Sequence, residues 1–162
     1  MIVFEEKLQD HINKIGSLTL NGFTFSLVFE YGNEEYLNKF LTLAKNKAYP
    51  LVFLVNGSDD YDATRKEVTR SNARIIISIQ RQQIDLLNKT WYATDYAKIL
   101  NPIAEKLINQ LDKSGAARVS NKYSIQKLPN YTQNDSEDNA TIDIWNALVL
   151  DFDSITFNTN CI

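Results

Sequence analysis

The chain has one cysteine, Cys161, and one histidine, His11. A lone thiol excludes an internal disulfide framework and suits a reducing compartment. A lone imidazole excludes a metal centre or proton relay built on paired histidines. No apolar run approaches the ~20 residues that span a bilayer as a helix, so no membrane contact is expected. The basic surplus of a dedicated nucleic-acid binder is missing too: net charge is −3, with acids and bases interspersed. The opening "MIVFEEKLQDHINKIG" puts acids where a secretory signal wants a basic start, which points to a protein kept inside a cell. No G-x-x-x-x-G-K-[ST] loop, G-x-G-x-x-G turn or G-x-S-x-G elbow occurs. No catalytic chemistry is legible, and no cofactor or metal is expected.

What is present describes a fold. The 162 residues, with ordinary apolar and charged fractions, suit a single domain over 1–162. Phe4, Leu8, Ile12 and Ile15 fall at helical spacing, and Gly16 is a natural stop. "FTFSLVF", Phe23 to Phe29, alternates like a strand with Phe23, Phe25, Leu27 and Phe29 on one face. Asn33 caps a second helix, with Glu34 and Glu35 at its start, Lys45 and Lys47 at its end, and a stripe of Tyr36, Leu37, Phe40, Leu41 and Ala44. Leu51 to Val55 and Ala73 to Gln80 read as central strands, separated by a long polar loop from Ser58 to Ser71.

Tyr96, Leu100, Ile103, Leu107 and Leu111 stripe the longest helix, which Gly115 ends and Pro102 bends near Asn101. Val119 to Leu128 reads as a short strand or extended arm, and Asn130 to Thr141 as a flexible polar loop. The order helix, strand, helix, strand, strand, helix, strand predicts an α+β domain: a single mixed, mainly antiparallel β-sheet with helices packed on it.

The last stretch, "WNALVLDFDSITFNTNCI", is apolar directly after the most polar one. Leu148, Leu150 and Phe152 share one parity, while Ile155 and Phe157 share the other. A strand that switches parity carries a bulge or becomes two segments packing in different directions. Either the whole segment completes the home sheet, or its end, with Ile155 and Phe157, is an arm that contacts a neighbouring subunit.

Other clusters have bland readings. "NGSDDYD" gathers Asp59, Asp60 and Asp62 but lacks the glycine placement and flanking helices of a calcium loop. Asp151 and Asp153 fit the wet side of a strand. Glu5-x-Lys7 has the letters of a nuclease triplet but lies on a helix. His11 is expected at the surface or boundary of its helix, and Cys161 as an inert thiol. Arg65, Lys66, Arg70, Arg74 and Arg81 form the one basic concentration. It is either a solvated loop and strand edge or a contact surface for an acidic protein or phosphate backbone, with Arg65, Lys66 and Arg70 as the contacts.

The N-terminal helix, "YPLVFLV", "ARIIISI", "KILNPIAEKLINQL" and the closing "WNALVLDFDSITF" followed by Cys161 together resemble small neck proteins of tailed bacteriophages. These are tail-terminator, tail-completion and head–tail joining proteins, of the type in phages and prophages of Bacteroidetes hosts. The similarity covers roughly Met1 to Leu111 and Trp145 to Cys161. It implies a ring subunit, sixfold or twelvefold, that carries no chemistry and joins portal or adaptor to tail proteins. It also implies a place in the virion, reached by assembly in the host cytoplasm, with DNA passing through unread. No site residue is carried over from the resemblance. The alternative is a small intracellular protein-binding or adaptor domain without a virion role, and behind it a metal-dependent hydrolase using the Asp59, Asp60 and Asp62 cluster.

Overall fold

The computed structural model describes residues 3–44, 50–80, 92–129 and 145–158. Helix α1 (Phe4–Ile15) buries Phe4, Leu8, His11 and Ile12, and stops at Gly16, whose φ of 71° suits glycine. A hairpin follows, β1 (Ser17–Leu20) and β2 (Phe23–Ser26), turned by Asn21 and Gly22 at φ 51° and 80°. Two consecutive positive-φ residues are what a tight two-residue hairpin needs. Strand β3 (Val28–Gly32) leads into α2 (Glu34–Ala44), where the Asn33 side chain accepts the Tyr36 N–H at 2.7 Å as a cap. Next come β4 (Leu51–Val55), β5 (Asp59–Asp62) and β6 (Glu67–Gln80). A π-helical segment (Tyr92–Leu100) then runs into α3 (Asn101–Lys113), followed by β7 (Ala117–Val119), β8 (Tyr123–Leu128) and β9 (Trp145–Asn158).

Seven strands form one sheet in the order β3-β4-β6-β9, with β7 and β8 end to end along the outer side of β9 and β5 continuing β4 along β6. Only β3 and β4, joined across α2, pair in parallel. The expected mixed, mainly antiparallel sheet is therefore present, with α1 and α3 on one face and α2 on the other. The β1–β2 hairpin pairs apart from it. No helix among the described residues is long and apolar enough to cross a membrane.

The larger core lies under α1 and α3. Tyr96, Leu100, Ile103, Leu107 and Leu111 are all buried there, so the predicted stripe holds. The winding changes from π to α next to Pro102, which lies inside one continuous helical run from Tyr92 to Lys113. The smaller core joins Leu37 of α2 to Leu51, Phe53, Ile76, Trp145 and Val149. The expected contributions of Leu41, Ala44, Lys45, Lys47, Arg81, the 130–141 loop and Cys161 lie outside what is described.

Three expectations change. The alternating run from Phe23 to Phe29 is broken at Leu27 into β2 and β3, leaving Phe23 exposed at the hairpin's end. The predicted loop from Ser58 to Ser71 is β5, a turn and the first part of β6. Asp62 Oδ1 accepts the Thr64 and Arg65 N–H groups at 2.9 and 3.0 Å in that turn. His11 is inside, 3 % exposed and stacked on Phe157 with ring centroids 5.3 Å apart.

The closing stretch takes the first of its two readings, the whole segment completing the home sheet. β9 is one strand, paired with β6 without a slip from Glu67↔Asn158 to Gln80↔Trp145. Its parity switch is real, and β6 makes the same switch at the same level. Below it Val68 and Arg70 are buried opposite Phe157 and Ile155; above it Ala73, Ile75 and Ile77 are buried opposite Phe152, Leu150 and Leu148. Asn72, at φ 53°, sits at the reversal, and asparagine tolerates that conformation better than most residues. Ile155 and Phe157 are both fully buried, with Phe157 4.9 Å from the Phe4 ring. They belong to the chain's own core and are not an arm.

Phe157→Ala is accordingly expected to lose about 3–5 kcal/mol of stability, and Ile155→Ser with Phe157→Ser to unfold the chain as thoroughly as Leu150→Asp, read by urea denaturation. His11 yields a second prediction. Burial holds its pKa below the ordinary 6.5, with Lys14 and Lys7 lowering it further and Asp10 opposing them. The unfolded chain therefore binds this proton first as pH falls. Stability should begin to drop near pH 6.5 and level off below the folded-state value, a slope that His11→Gln removes from melting curves.

Candidate assembly surface

Two members of the basic series that looked like a contact surface, Arg70 and Arg74, are engaged by the chain's own carboxylates. Arg70 is 2 % exposed at an inward position of β6. Its Nε donates to Asp59 Oδ1 at 2.7 Å, and one terminal nitrogen donates to Asp59 Oδ2 at 2.9 Å and Glu5 Oε1 at 2.6 Å. The guanidinium carbon stands 4.5 Å from the centre of the Phe4 ring. Burial works against its charge, but the hydrogen bonds and charges of Asp59 and Glu5 outweigh it and hold the pKa above the ordinary value. Gly57 leaves room for this side chain, since a Cβ there would lie 3.2 Å from Arg70 Cδ. Arg70 thus ties α1, β5 and β6 together, and the expectation that it meets a partner is corrected. Arg65 and Lys66 are exposed on the β5–β6 turn, Arg65 3.9 Å from Asp62.

The acids sort themselves in the same way. Asp59 serves Arg70, Asp62 serves the turn, and Glu5 reaches β6 from its helix. Among the described residues no group of three or more His, Cys, Asp or Glu side chains converges as metal ligands would.

A cleft of about 600 Å³ opens at the strand reversal, on the α2 side of the sheet. Arg74 lies within it and grips Asp151 with two nitrogens, at 2.7 and 3.1 Å, and Glu34 with the third at 3.2 Å. The bond to Asp151 is the main cause of its raised pKa. Asp153, Asn72 and Lys122 complete a polar rim. With every nitrogen of Arg74 engaged, and three carboxylates facing two cations, this trough is not built to attract an anion.

The ends of the sheet are different. Among the described residues β3 pairs only with β4, and β8 only with β9. The Val28 N–H donates to the Pro50 carbonyl at 2.9 Å, and the Gly32 carbonyl accepts from Asn56 at 2.8 Å. Val28, Glu30 and Gly32 therefore aim their backbone groups at β4, and Phe29 and Tyr31 aim theirs outward by alternation. In β8 the first five residues are exposed, including Tyr123 at 41 % and Ile125 at 49 %. Register places both opposite residues of the larger core, Phe152 and Leu150, so they stand on the α1–α3 side of the sheet. Phe29, opposite Val52, and Tyr31, opposite Leu54, stand on that same side at the other end. The alternation of Tyr123 and Ile125 with Ser124 and Gln126 was readable as a strand; its place at an edge was not.

No protein-family model matches the chain, and no curated protein matches it.

The two kinds of cation predict opposite outcomes. Arg70→Ala leaves Glu5 and Asp59 without their partner, and should cost about 3–5 kcal/mol in chemical denaturation. Arg65→Ala, at an exposed pair, should stay within about 0.5 kcal/mol of the parent.

Proposed function

We propose that the protein is a structural subunit of a tailed-phage neck or tail-terminator ring, joining portal or head to tail around the DNA channel, and that it is not an enzyme. The observation that carries this reading is a sheet whose two ends, β3 and β8, have no further strand beside them among the described residues, with Tyr31 on β3 and Tyr123 and Ile125 on β8 exposed on the same side. A subunit that repeats around a ring needs two different adhesive flanks, and such a sheet supplies them. The resemblance of the sequence to phage neck proteins gives the reading its specific form, including a place in the virion and contacts with portal or adaptor and tail proteins.

Electrostatics agrees with a passive channel wall. The net charge is negative, and Arg70, Arg74 and Arg118 are each held by carboxylates, Arg118 by Glu67 at 3.0 Å. A net negative charge does not favour retention of passing phosphates.

The test is assembly. At concentrations of tens of micromolar, light scattering and negative-stain microscopy should show closed rings of six or twelve subunits, with no retention on DNA at physiological salt. A chain that stays monomeric at every concentration, and that joins neither portal-bearing capsids nor tails, ends the proposal.

A further inference from the structure

We infer that the partner of the β8 edge is the β3 edge of a second copy of this chain, paired antiparallel with Tyr123 opposite Tyr31 and Ile125 opposite Phe29. The inference rests on the ring-subunit reading and specifies the contact that would build the ring.

Direction comes first. β3 runs with β4, while β4, β6, β9 and β8 alternate, so β3 and β8 run in opposite senses at the two ends of one sheet. Two copies standing side by side with the same sheet face outward therefore meet as an antiparallel pair. Length agrees, at five residues for β3 and six for β8.

Side-chain facing then limits the register. Phe29 and Tyr31 stand on the α1–α3 side, as do Tyr123, Ile125 and Lys127. Directly opposed residues share a face, so odd-numbered residues of β3 must meet odd-numbered residues of β8. One register satisfies both apolar pairs together: Phe29 with Ile125, and Tyr31 with Tyr123. Tyr31 is 50 % exposed and Ile125 49 %, so both have area to lose from water. The outward backbone groups of Phe29 and Tyr31 gain partners in the same step.

Charge supports this register on the other side of the sheet. Glu30 comes to lie opposite Ser124 and diagonal to Lys122, which lines the cleft on the α2 side. Diagonal neighbours across an antiparallel pair are within reach of long side chains.

Cysteine coupling in a Cys161→Ser background tests the register. Glu30→Cys with Ser124→Cys should form intermolecular disulfides that ladder up to the ring size under mild oxidation. The mismatched pair Glu30→Cys with Ile125→Cys, whose side chains lie on opposite faces, should couple at least tenfold less. Separately, Tyr31→Lys with Ile125→Lys should leave the melting curve within a few degrees of the parent and abolish assembly, because both sites are exposed. Rings that form without the predicted coupling, or that tolerate both lysines, overturn the edge pairing and leave the ring reading standing. Coupling that stops at dimers overturns it too, since two unlike edges must propagate. Absence of any assembly in the parent protein overturns both.

Discussion

The pairing of β6 with β9 is the constraint on which the rest depends. Both strands are 14 residues long, and they carry side chains into both cores at once. Ile75, Ile77, Leu148 and Leu150 face α1 and α3, while Ile76, Ala147 and Val149 face α2. A reversal of facing in one strand alone would break the ladder or turn one apolar set into water. Here the two strands reverse together, with Asn72 taking the left-handed conformation, and the same register holds on both sides of a single gap at Asn72 and Asp153. The upper half can then receive the π-helical segment, where Tyr96 Oη donates to the Ala147 carbonyl at 3.0 Å. The lower half receives α1, with His11 stacked on Phe157 and the Phe4 ring tilted against it.

In the lower half one inward position of β6 is taken by Arg70. Its inward position is dictated by the reversal, since it shares a facing with Val68 and lies opposite Ile155. A charge there is tolerable only because Glu5 and Asp59 neutralise it and the Phe4 ring lies under its plane. Such a centre need not stabilise more than well-packed apolar side chains would. Its consequence is geometric: it requires the start of α1, β5 and the lower part of β6 to arrive at one point.

That same arginine explains what the sequence hid. α1, the α3 stripe, β4 and the upper part of β6 were legible because their buried positions are apolar apart from His11 and Ser78. The lower part of β6 alternates as regularly, but one of its inward residues is Arg70, so "EVTRS" reads as solvated loop. With that strand missing, the parity switch of β9 had no matching switch beside it and looked like a bulge or an arm. One misread residue thus hid the lower part of β6 and kept open a reading that put Ile155 and Phe157 on a surface they never reach. The break at Leu27 was silent for the opposite reason: Phe25, Leu27 and Phe29 all pack at the margin of the larger core, so hydrophobic phase runs on unbroken. His11 was misplaced because composition cannot show a ring stacking on a phenylalanine at the far end of the chain.

The open edges raise a last physical question, which is why unlike edges should prefer each other over their own kind. Exposed strands usually carry charges that discourage pairing. Here those charges differ in sign between the two ends: Glu30 marks β3, and Lys122 and Lys127 bracket β8. Two β3 edges meeting about a twofold axis at their middle residue would set Glu30 against Glu30, a directly opposed like-charge pair. Two β8 edges would bring four lysines to one seam. The unlike pairing does neither, and places Glu30 near Lys122 instead. Twofold association closes after one step, whereas unlike association continues until it meets itself. In the proposed edge pairing the placement of three charged side chains disfavours the twofold pairing of like edges, and an array of unlike edges closes as a ring when the rotation per subunit allows it.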